Sequence, residues 1–430
     1  MSTPTKKVAF HTLGCKLNFT ETSTISRDFI RSGFEKVDYT DKADLYVLNT
    51  CSVTQNADKE ARKLIRQAKR RNPNSSVAVI GCYAQLKPDT IASIDGVDLV
   101  LGAEEKFNLI NYLDMIDISK GPTVIQSKVE TANNFISSFS LGERTRSFLK
   151  VQDGCDYTCS FCTIPQARGG SRSESIQKTM KVAKQVACSN VREIVLTGVN
   201  LGDFGKGTSE NFLDLIMQLD TLTDIDRIRI SSIEPNLLND EIILFCLNSD
   251  KFVPHFHIPL QSGSNKILKM MRRRYNKEAY KERISLIKSI NPEACIGVDV
   301  IVGFPGESDD DFLETYRFLN DLDISYLHVF TYSERSNTDA LKIKETVPKE
   351  KRAERSRMLH VLSDKKKRFF YNQFINKIRP VLFESLKNGK LIGHTDNYIQ
   401  VEIEGSKDLI NTIQQVRLLK NNGKSIQGLI

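Results

Sequence analysis

The chain has 430 residues, 40% hydrophobic and 27% charged, so it can bury cores and is expected to form two or three domains. Its 12 prolines and 23 glycines are too few for a fibrous or disordered chain, and no apolar run reaches the ~20 residues of a membrane span. The net charge is +8, and the N-terminus lacks the apolar stretch of a secretory signal, so we expect a cytoplasmic protein with no membrane partner.

Short apolar runs alternate with amphipathic segments through the first hundred residues. This rhythm predicts βαβ units and therefore an open parallel sheet covered by helices. The predicted elements are strand 7–13, helix 21–32, strand 44–49, basic helix 58–70, and strands 76–80 and 97–101.

Three cysteines far apart in sequence follow three of these predicted strands. Cys15, Cys51 and Cys82 each stand one or two residues beyond a strand end. Because the carboxyl ends of parallel strands share one edge of a sheet, we expect the three thiols to meet. Three thiolates suit an iron–sulfur cluster with one iron left unligated by cysteine. Zinc with a fourth ligand of another type, or three unrelated thiols, remain alternatives.

A second group of cysteines is local in sequence. A predicted strand, 148–153, runs into Cys155, Cys159 and Cys162, three thiols within eight residues. No histidine or fourth cysteine lies nearby to close a structural zinc site. The spacing therefore predicts a four-iron cluster with one open iron.

The segment after this loop has the pattern of a partial (β/α)6 barrel. Polar residues and glycines gather where each predicted strand ends, which is where such barrels build active sites. His255 and His257 alternate on one strand and are interpreted as structural. After strand 148–153, the predicted strands are 192–196, 227–230, 255–260, 296–302 and 326–330.

The positive charge is concentrated near the C-terminus. Residues 341–380 carry 13 Lys/Arg and four Asp/Glu, whereas the rest of the chain is nearly neutral. Such a segment binds nucleic acid or forms a solvated helix. Arg272, Arg273 and Arg274 form a further basic run. The tail is predicted to be a small antiparallel β-barrel, with strands 381–384, 391–395, 398–403 and 415–419.

The cysteine loop resembles the cluster motif of radical S-adenosylmethionine (SAM) enzymes. A three-cysteine α/β domain before that motif is similar to the methylthiotransferase family, and the resemblance covers nearly the whole chain. It rests on residues 14–18 (Gly-Cys-Lys-Leu-Asn), 49–54 (Asn-Thr-Cys-Ser-Val-Thr), 81–85 (Gly-Cys-Tyr-Ala-Gln), and 154–162 continuing into 164–169 (Ile-Pro-Gln-Ala-Arg-Gly).

This resemblance implies three domains, SAM and two 4Fe–4S clusters. The domains would be an N-terminal methylthiotransferase domain (1–140), a radical SAM domain (141–372) and a TRAM-like RNA-binding domain (373–430). Cys155, Cys159 and Cys162 would hold the SAM cluster, and Cys15, Cys51 and Cys82 the auxiliary cluster. By the same resemblance, the SAM-binding residues would be Phe161 and Gly303 near the adenine, Gly198 and Asn200 near the amino group, and Glu234 and Ser262 near the ribose.

Three subfamilies differ in substrate: isopentenyladenosine of tRNA, threonylcarbamoyladenosine of tRNA, or an aspartate of a ribosomal protein. Residues 14–18 and 154–159 look most similar to the second. The resemblance therefore implies methylthio addition to carbon 2 of N6-threonylcarbamoyladenosine at tRNA position 37, through a 5′-deoxyadenosyl radical. We further expect a one-electron donor such as flavodoxin or ferredoxin, and a monomer, although the sequence itself reveals neither the donor nor the oligomeric state. The alternative from another class is a non-catalytic iron–sulfur protein that binds RNA.

Overall fold

The computed structural model describes residues 5–51, 55–116, 120–129, 132, 134–142 and 145–430, with backbone only at 55–58. Two compact units make up the chain. The first comprises Met1–Ser140, Phe148–Tyr157 and Thr163–Ser173, and the second Leu141–Ser147, Thr158–Cys162 and Glu174–Ile430. The predicted three-domain division places its boundaries elsewhere and stays a prediction.

The first unit contains a six-stranded sheet of entirely parallel pairs, in the order β2-β1-β3-β4-β5-β6. Alternate residues of the central strands enter two separate apolar cores, so both faces of the sheet are covered. This agrees with the predicted fold. The strands are β1 Lys7–Thr12, β2 Glu35–Val37, β3 Leu45–Thr50, β4 Ser76–Gly81, β5 Leu99–Leu101 and β6 Thr123–Ile125.

Two helices of this unit begin at cysteines. Helix α1 starts directly after Cys15, whose extended backbone (φ −89°, ψ 172°) forms the N-cap, and so begins five residues before the predicted helix. Cys82 is the first residue of α3. The helices are α1 Lys16–Arg31, α2 Gln55–Arg71, α3 Cys82–Leu86, α4 Pro88–Ala92 and α5 Ile164–Arg168, with a 3-10 helix at Glu105–Met115 and a short strand β7 at Ser138–Phe139.

The second unit alternates strands with helices, as the predicted barrel requires. Strands β9 and β10 pair in parallel, and so do β11, β12 and β13. Asn211, Asn239, Asn276 and Ser308 cap helix N-termini by accepting a first-turn backbone N–H, which explains where those helices begin. The strands are β9 Glu193–Thr197, β10 Arg227–Ile230, β11 His255–His257, β12 Cys295–Val302 and β13 Tyr326–Thr331.

Strand β8, Arg146–Lys150, precedes the cysteine loop and begins and ends earlier than predicted. At Asp153 the backbone instead forms a bridge with Arg172. The helices that follow are α6 Ile176–Ala187, α7 Phe212–Asp220, α8 Asp240–Asn248, α9 Asn265–Met270, α10 Lys277–Ile290, α11 Asp309–Asp321 and α12 Lys349–Asn372.

A closed five-stranded barrel ends the chain, in the order β14-β15-β16-β18-β17. Its interior is apolar. Four of its strands were predicted, whereas the fifth, Ile426–Leu429, was not, because four residues that include Gly428 give too weak a pattern. The strands are β14 Ile378–Lys387, β15 Lys390–Thr395, β16 Gln400–Glu404, β17 Ile413–Asn421 and β18 Ile426–Leu429.

Across the part of the chain that the structure describes, every helix is too short or too polar to cross a bilayer.

Candidate cluster-binding sites

The loops that carry Cys15 and Cys51 pack directly against each other. Gly14 has a φ of +98°, and a β-carbon built on it would lie 2.4 Å from Cys51 Cβ and 2.6 Å from Cys51 Sγ. Only glycine fits this position, because any side chain would collide with Cys51 and strain the backbone. The ends of β1 and β3 thus place these two loops in contact.

Asn18 ties the strand ends together. Its Nδ2 donates to Leu13 O at 3.0 Å and to Thr50 O at 2.9 Å. Thr50 Oγ1 in turn donates to Ile80 O at 2.7 Å. The residues that flank the first three cysteines are therefore held in one hydrogen-bonded layer. Residues 52–54, which follow Cys51 in the quoted motif, lie outside the described residues.

A network of buried charges lies in the same unit. Arg168 Nη1 is 2.9 Å from Glu21 Oε1 and 3.0 Å from Asp153 Oδ1, and Arg168 Nη2 donates to Asn18 Oδ1 at 2.6 Å. Five of its ion-paired side chains are at most 5% exposed: Glu21, Lys106, Lys150, Asp153 and Arg168. A sixth, Arg172, is 13% exposed and pairs with Asp153 at 3.3 Å.

With four cations and two carboxylates, this network carries more positive than negative charge, and part of the excess lies beside cysteines. Burial raises the pKa of the Cys82 thiol, and the charge of Arg168 offsets part of that rise. Although burial alone would lower the pKa of Arg168, the charges of Cys82, Glu21, Asp153 and Cys15 raise it well above its ordinary value. An oxidised four-iron cluster on three thiolates carries one net negative charge, which would offset part of this positive excess. The residues present fit such a cluster.

Cys155 belongs to the first unit and lies in a tightly constrained turn. Its backbone N–H donates to Gly169 O at 3.0 Å. Gly154 has a φ of +71°, and a β-carbon there would come within 1.9 Å of Gly170 O. The Tyr157 N–H donates to Cys155 Sγ at 3.4 Å. Backbone donors aimed at a sulfur are a common feature of iron–sulfur ligation, since they stabilise thiolate charge.

Cys159 and Cys162 belong to the second unit and are linked by a backbone hydrogen bond of 3.1 Å from Cys162 N to Cys159 O. Ser160, between them, anchors this segment. Its Oγ donates to Met270 O at 2.8 Å, and its carbonyl accepts from Ala340 N at 2.8 Å. The two thiols are therefore presented by a segment that is fixed on both sides.

Arg273 contacts Cys159 directly. Its Nη1 donates to Cys159 Sγ at 3.1 Å, and its other terminal nitrogen forms an ion pair with Glu234. Burial raises the pKa of the Cys159 thiol, and Arg273 counteracts that effect. The basic run 272–274 therefore includes one arginine that is only 4% exposed and contacts the thiol that it would help to ionise.

Of the six SAM residues expected from the resemblance, one pair lies together and a third residue is linked to a cluster cysteine. Phe161 faces Phe304, next to Gly303, with ring centroids 6.4 Å apart, and Glu234 is linked to Cys159 through Arg273. Two others are held by neighbours: Asn200 Nδ2 donates to Asp203 Oδ2 at 2.8 Å, and Ser262 Oγ is 3.2 Å from Thr315 Oγ1. Gly198 follows β9 and is half-buried.

Gly303 needs to be glycine. It has a φ of +77°, and a β-carbon would lie 2.3 Å from Arg352 Cγ. Its N–H donates to Glu307 Oε2 at 2.7 Å, and the same carboxylate oxygen pairs with Arg355. Arg352 and Arg355, two members of the predicted basic segment, are thus buried in the second unit and are not free cations on its surface.

Sequence reasoning missed the arginines beside the thiols. Arg168 stands in the quoted run 164–169, and Arg273 stands in a run interpreted only as basic surface. The signal was present, but the partners of Arg168 lie up to 150 residues away and those of Arg273 up to 114 residues away. No local pattern reports such distant pairing.

Comparison with known proteins shows the family to which this chain is similar. The uncharacterized protein family UPF0004 matches residues 7–102, and the radical SAM superfamily matches residues 149–319. The radical SAM methyltransferase TsrM of Kitasatospora setae, with cobalamin and a [4Fe-4S] cluster bound, is similar in fold: the TM-score is 0.58 at 14% identity, covering 78% of this chain and 77% of that one.

Curated relatives are similar along almost their full length. Threonylcarbamoyladenosine tRNA methylthiotransferase MtaB of Bacillus subtilis is 40% identical, covering 96% of this chain and 94% of the relative. The protein of that name from Aquifex aeolicus is 40% identical, covering 94% of this chain and 98% of the relative. tRNA-2-methylthio-N(6)-dimethylallyladenosine synthase of Clostridium botulinum is 30% identical, covering 97% of this chain and 95% of the relative. The chain therefore belongs to the family of radical SAM tRNA methylthiotransferases.

Proposed function

We propose that this protein adds a methylthio group to carbon 2 of N6-threonylcarbamoyladenosine at position 37 of tRNA. The observation that carries the proposal is the presence of two three-cysteine sites in a chain 40% identical to enzymes of that name over 94–96% of its length. The relative named for dimethylallyladenosine is 30% identical, which disfavours that substrate. An aspartate substrate and a non-catalytic role are not favoured either.

Six cysteines would hold the two clusters. Cys155, Cys159 and Cys162 would bind the cluster that receives SAM, and Cys15, Cys51 and Cys82 the auxiliary cluster. When bound, these groups supply a 5′-deoxyadenosyl radical and a sulfur donor, chemistry that side chains cannot perform. The protein supports them with charge: Arg273 favours the ionised Cys159, and Arg168 provides the positive charge beside Cys82.

Six further residues would form the SAM pocket: Phe161, Gly198, Asn200, Glu234, Ser262 and Gly303. Gly303 would allow close backbone approach of the adenine, since it lacks a side chain at a positive φ. The Phe161 ring, which packs against Phe304, would offer an apolar face to the same moiety.

RNA binding would use the C-terminal part of the chain. Helix α12 keeps Arg357, Lys365 and Arg368 exposed although Arg352 and Arg355 are buried. Phe369 on the same helix is 64% exposed, and exposed aromatic and cationic side chains together favour RNA. Residues 373–430 would be the TRAM-like RNA-binding domain. We further propose a cytoplasmic monomer that takes single electrons from flavodoxin or ferredoxin.

An anaerobic reaction with defined substrates tests the proposal. The reconstituted enzyme is given SAM, a reductant, and tRNA that carries threonylcarbamoyladenosine, and the nucleosides are identified by mass spectrometry. We expect the 2-methylthio derivative together with 5′-deoxyadenosine. Release of 5′-deoxyadenosine without a methylthio nucleoside would refute the substrate, and no release with both clusters intact would refute catalysis.

A further inference from the structure

Two histidines and an aspartate meet on three adjacent strands of the second unit. His257 lies on β11, Asp299 on β12 and His328 on β13, and their ligand atoms all lie within 4.8 Å of one another. His257 Nε2 is 2.8 Å from Asp299 Oδ1. The rings of His257 and His328 are 5.2 Å apart, and Asp299 is directly opposite His328 in the sheet.

This trio faces the same side of the sheet as residues next to the cluster loop. Side chains alternate along a strand, so Asp299 shares a face with Ile301 two residues later. Ile301 packs in an apolar group with Phe161 and Phe304, and Phe161 immediately precedes Cys162. Ile301 therefore lies between the trio and Phe161, the aromatic side chain of the cluster loop.

An exposed aromatic side chain completes the patch. Phe330 is opposite Ile301 in the sheet and shares a face with His328. It is 42% exposed. An exposed aromatic ring beside hydrogen-bonding side chains is the combination that proteins use to stack and read an unpaired base.

We propose that His257, Asp299, His328 and Phe330 form the surface that reads the N6 substituent of the target adenosine. This inference rests on the proposed function. A threonylcarbamoyl group presents a hydroxyl, a carboxylate and a urea, whereas a dimethylallyl group presents only hydrocarbon. The patch offers imidazole and carboxylate hydrogen-bonding groups, which suit the first substituent and would be left unpaired by the second. Asp299 acts as a positioning residue, because its carboxylate orients His257.

Binding measurements with a pair of tRNAs test this role. The holoenzyme is titrated with one tRNA that carries threonylcarbamoyladenosine and with the same tRNA carrying unmodified adenosine. We expect the wild type to bind the modified tRNA at least about tenfold more tightly. His328→Ala and His257→Ala should remove most of that preference while leaving the Kd for the unmodified tRNA unchanged. Phe330→Ala should weaken binding of both tRNAs.

His360→Ala is the matched control, since His360 is an exposed histidine of α12 outside the patch. It should keep the full preference, and iron content and thermal melting verify that each variant folds. Two results would overturn the inference: an unchanged preference in the histidine variants, or stoichiometric Zn²⁺ binding that requires all three side chains. Failure of the proposed function itself is distinguishable, because the wild type would then form no methylthio nucleoside on the modified tRNA.

Discussion

The two cysteine trios are assembled in opposite ways. Cys155, Cys159 and Cys162 lie within eight residues, so their proximity is a property of a short loop. Cys15, Cys51 and Cys82 span 68 positions and are brought to one edge only because β1, β3 and β4 are neighbours in a parallel sheet. The first site can form wherever its loop is held, whereas the second requires the whole sheet.

The trios also differ in how charge is supplied. Arg273 reaches Cys159 from the segment after α9 and is paired with a single carboxylate, Glu234. Arg168 belongs to a largely buried network of six charges and donates to Asn18. We therefore expect the auxiliary site to be coupled to the stability of its unit and the loop site to be more independent.

The largest expected effect separates the two trios by chemistry. Cys159→Ala should abolish reductive cleavage of SAM, since it would remove a proposed ligand of the cluster that receives SAM. Cys15→Ala should abolish methylthio transfer but leave SAM cleavage intact. Both are measured as 5′-deoxyadenosine and methylthio nucleoside from one anaerobic reaction. Identical behaviour of the two variants would show that the proposed division of labour is wrong.

Arg168→Met should remove the auxiliary cluster and destabilise its unit. The change leaves Glu21 and Asp153 short of a buried partner, which costs roughly 3–5 kcal/mol in comparable pairs. Iron analysis should give about four irons per chain where the wild type gives about eight. Arg273→Met is the matched control, and it should perturb the electron paramagnetic resonance signal of the loop cluster alone. Retention of both clusters in Arg168→Met would contradict the role of the network.

Gly14→Ala should impair the auxiliary site by steric collision. The new β-carbon would overlap Cys51, and overpacking together with the positive φ should cost roughly 2–4 kcal/mol. Gly33→Ala is a matched control, because Gly33 also has a positive φ (+87°) but has no atom within 4 Å of that β-carbon. It should cost only about 1 kcal/mol and keep the cluster. Denaturant unfolding measures both variants. If Gly14→Ala and Gly33→Ala lowered the free energy of unfolding equally, the collision with Cys51 would be ruled out.

Glu21→Gln should give the smallest loss of stability, and that loss should depend on pH. Burial opposes ionisation of Glu21, but Arg168, Lys106 and Lys150 outweigh it and lower its pKa from 4.5 to about 2. Its charge therefore stabilises the fold fully above pH 4.5, and that contribution is lost as the pH falls from 4.5 toward 2.

The difference in the free energy of unfolding between wild type and Glu21→Gln should thus be constant from pH 7 to pH 5, at roughly 1–3 kcal/mol, and should shrink below pH 4.5. Thermal melts across this range measure it. A difference that stayed the same at pH 3 would mean that Glu21 is not ionised in the folded protein.

The sequence by itself determined the parallel α/β framework and the alternation of strands and helices in the second unit. It also singled out the six cysteines that we propose as cluster ligands. Hydrophobic periodicity and short cysteine spacings are local properties, so they can be interpreted without coordinates. Even the convergence expected for Cys15, Cys51 and Cys82 follows from a general rule about strand ends.

Only the tertiary structure decided which charged residues serve these sites. Arg273, Arg352 and Arg355 belong to runs that predict a basic surface, yet each is buried against a carboxylate or a carbonyl. The pairing of Arg168 with Glu21, 147 residues apart, has no local signature. Ion pairs depend on which elements the topology makes neighbours, and the strength of their attraction depends on how far the fold excludes water, neither of which a single segment of sequence contains.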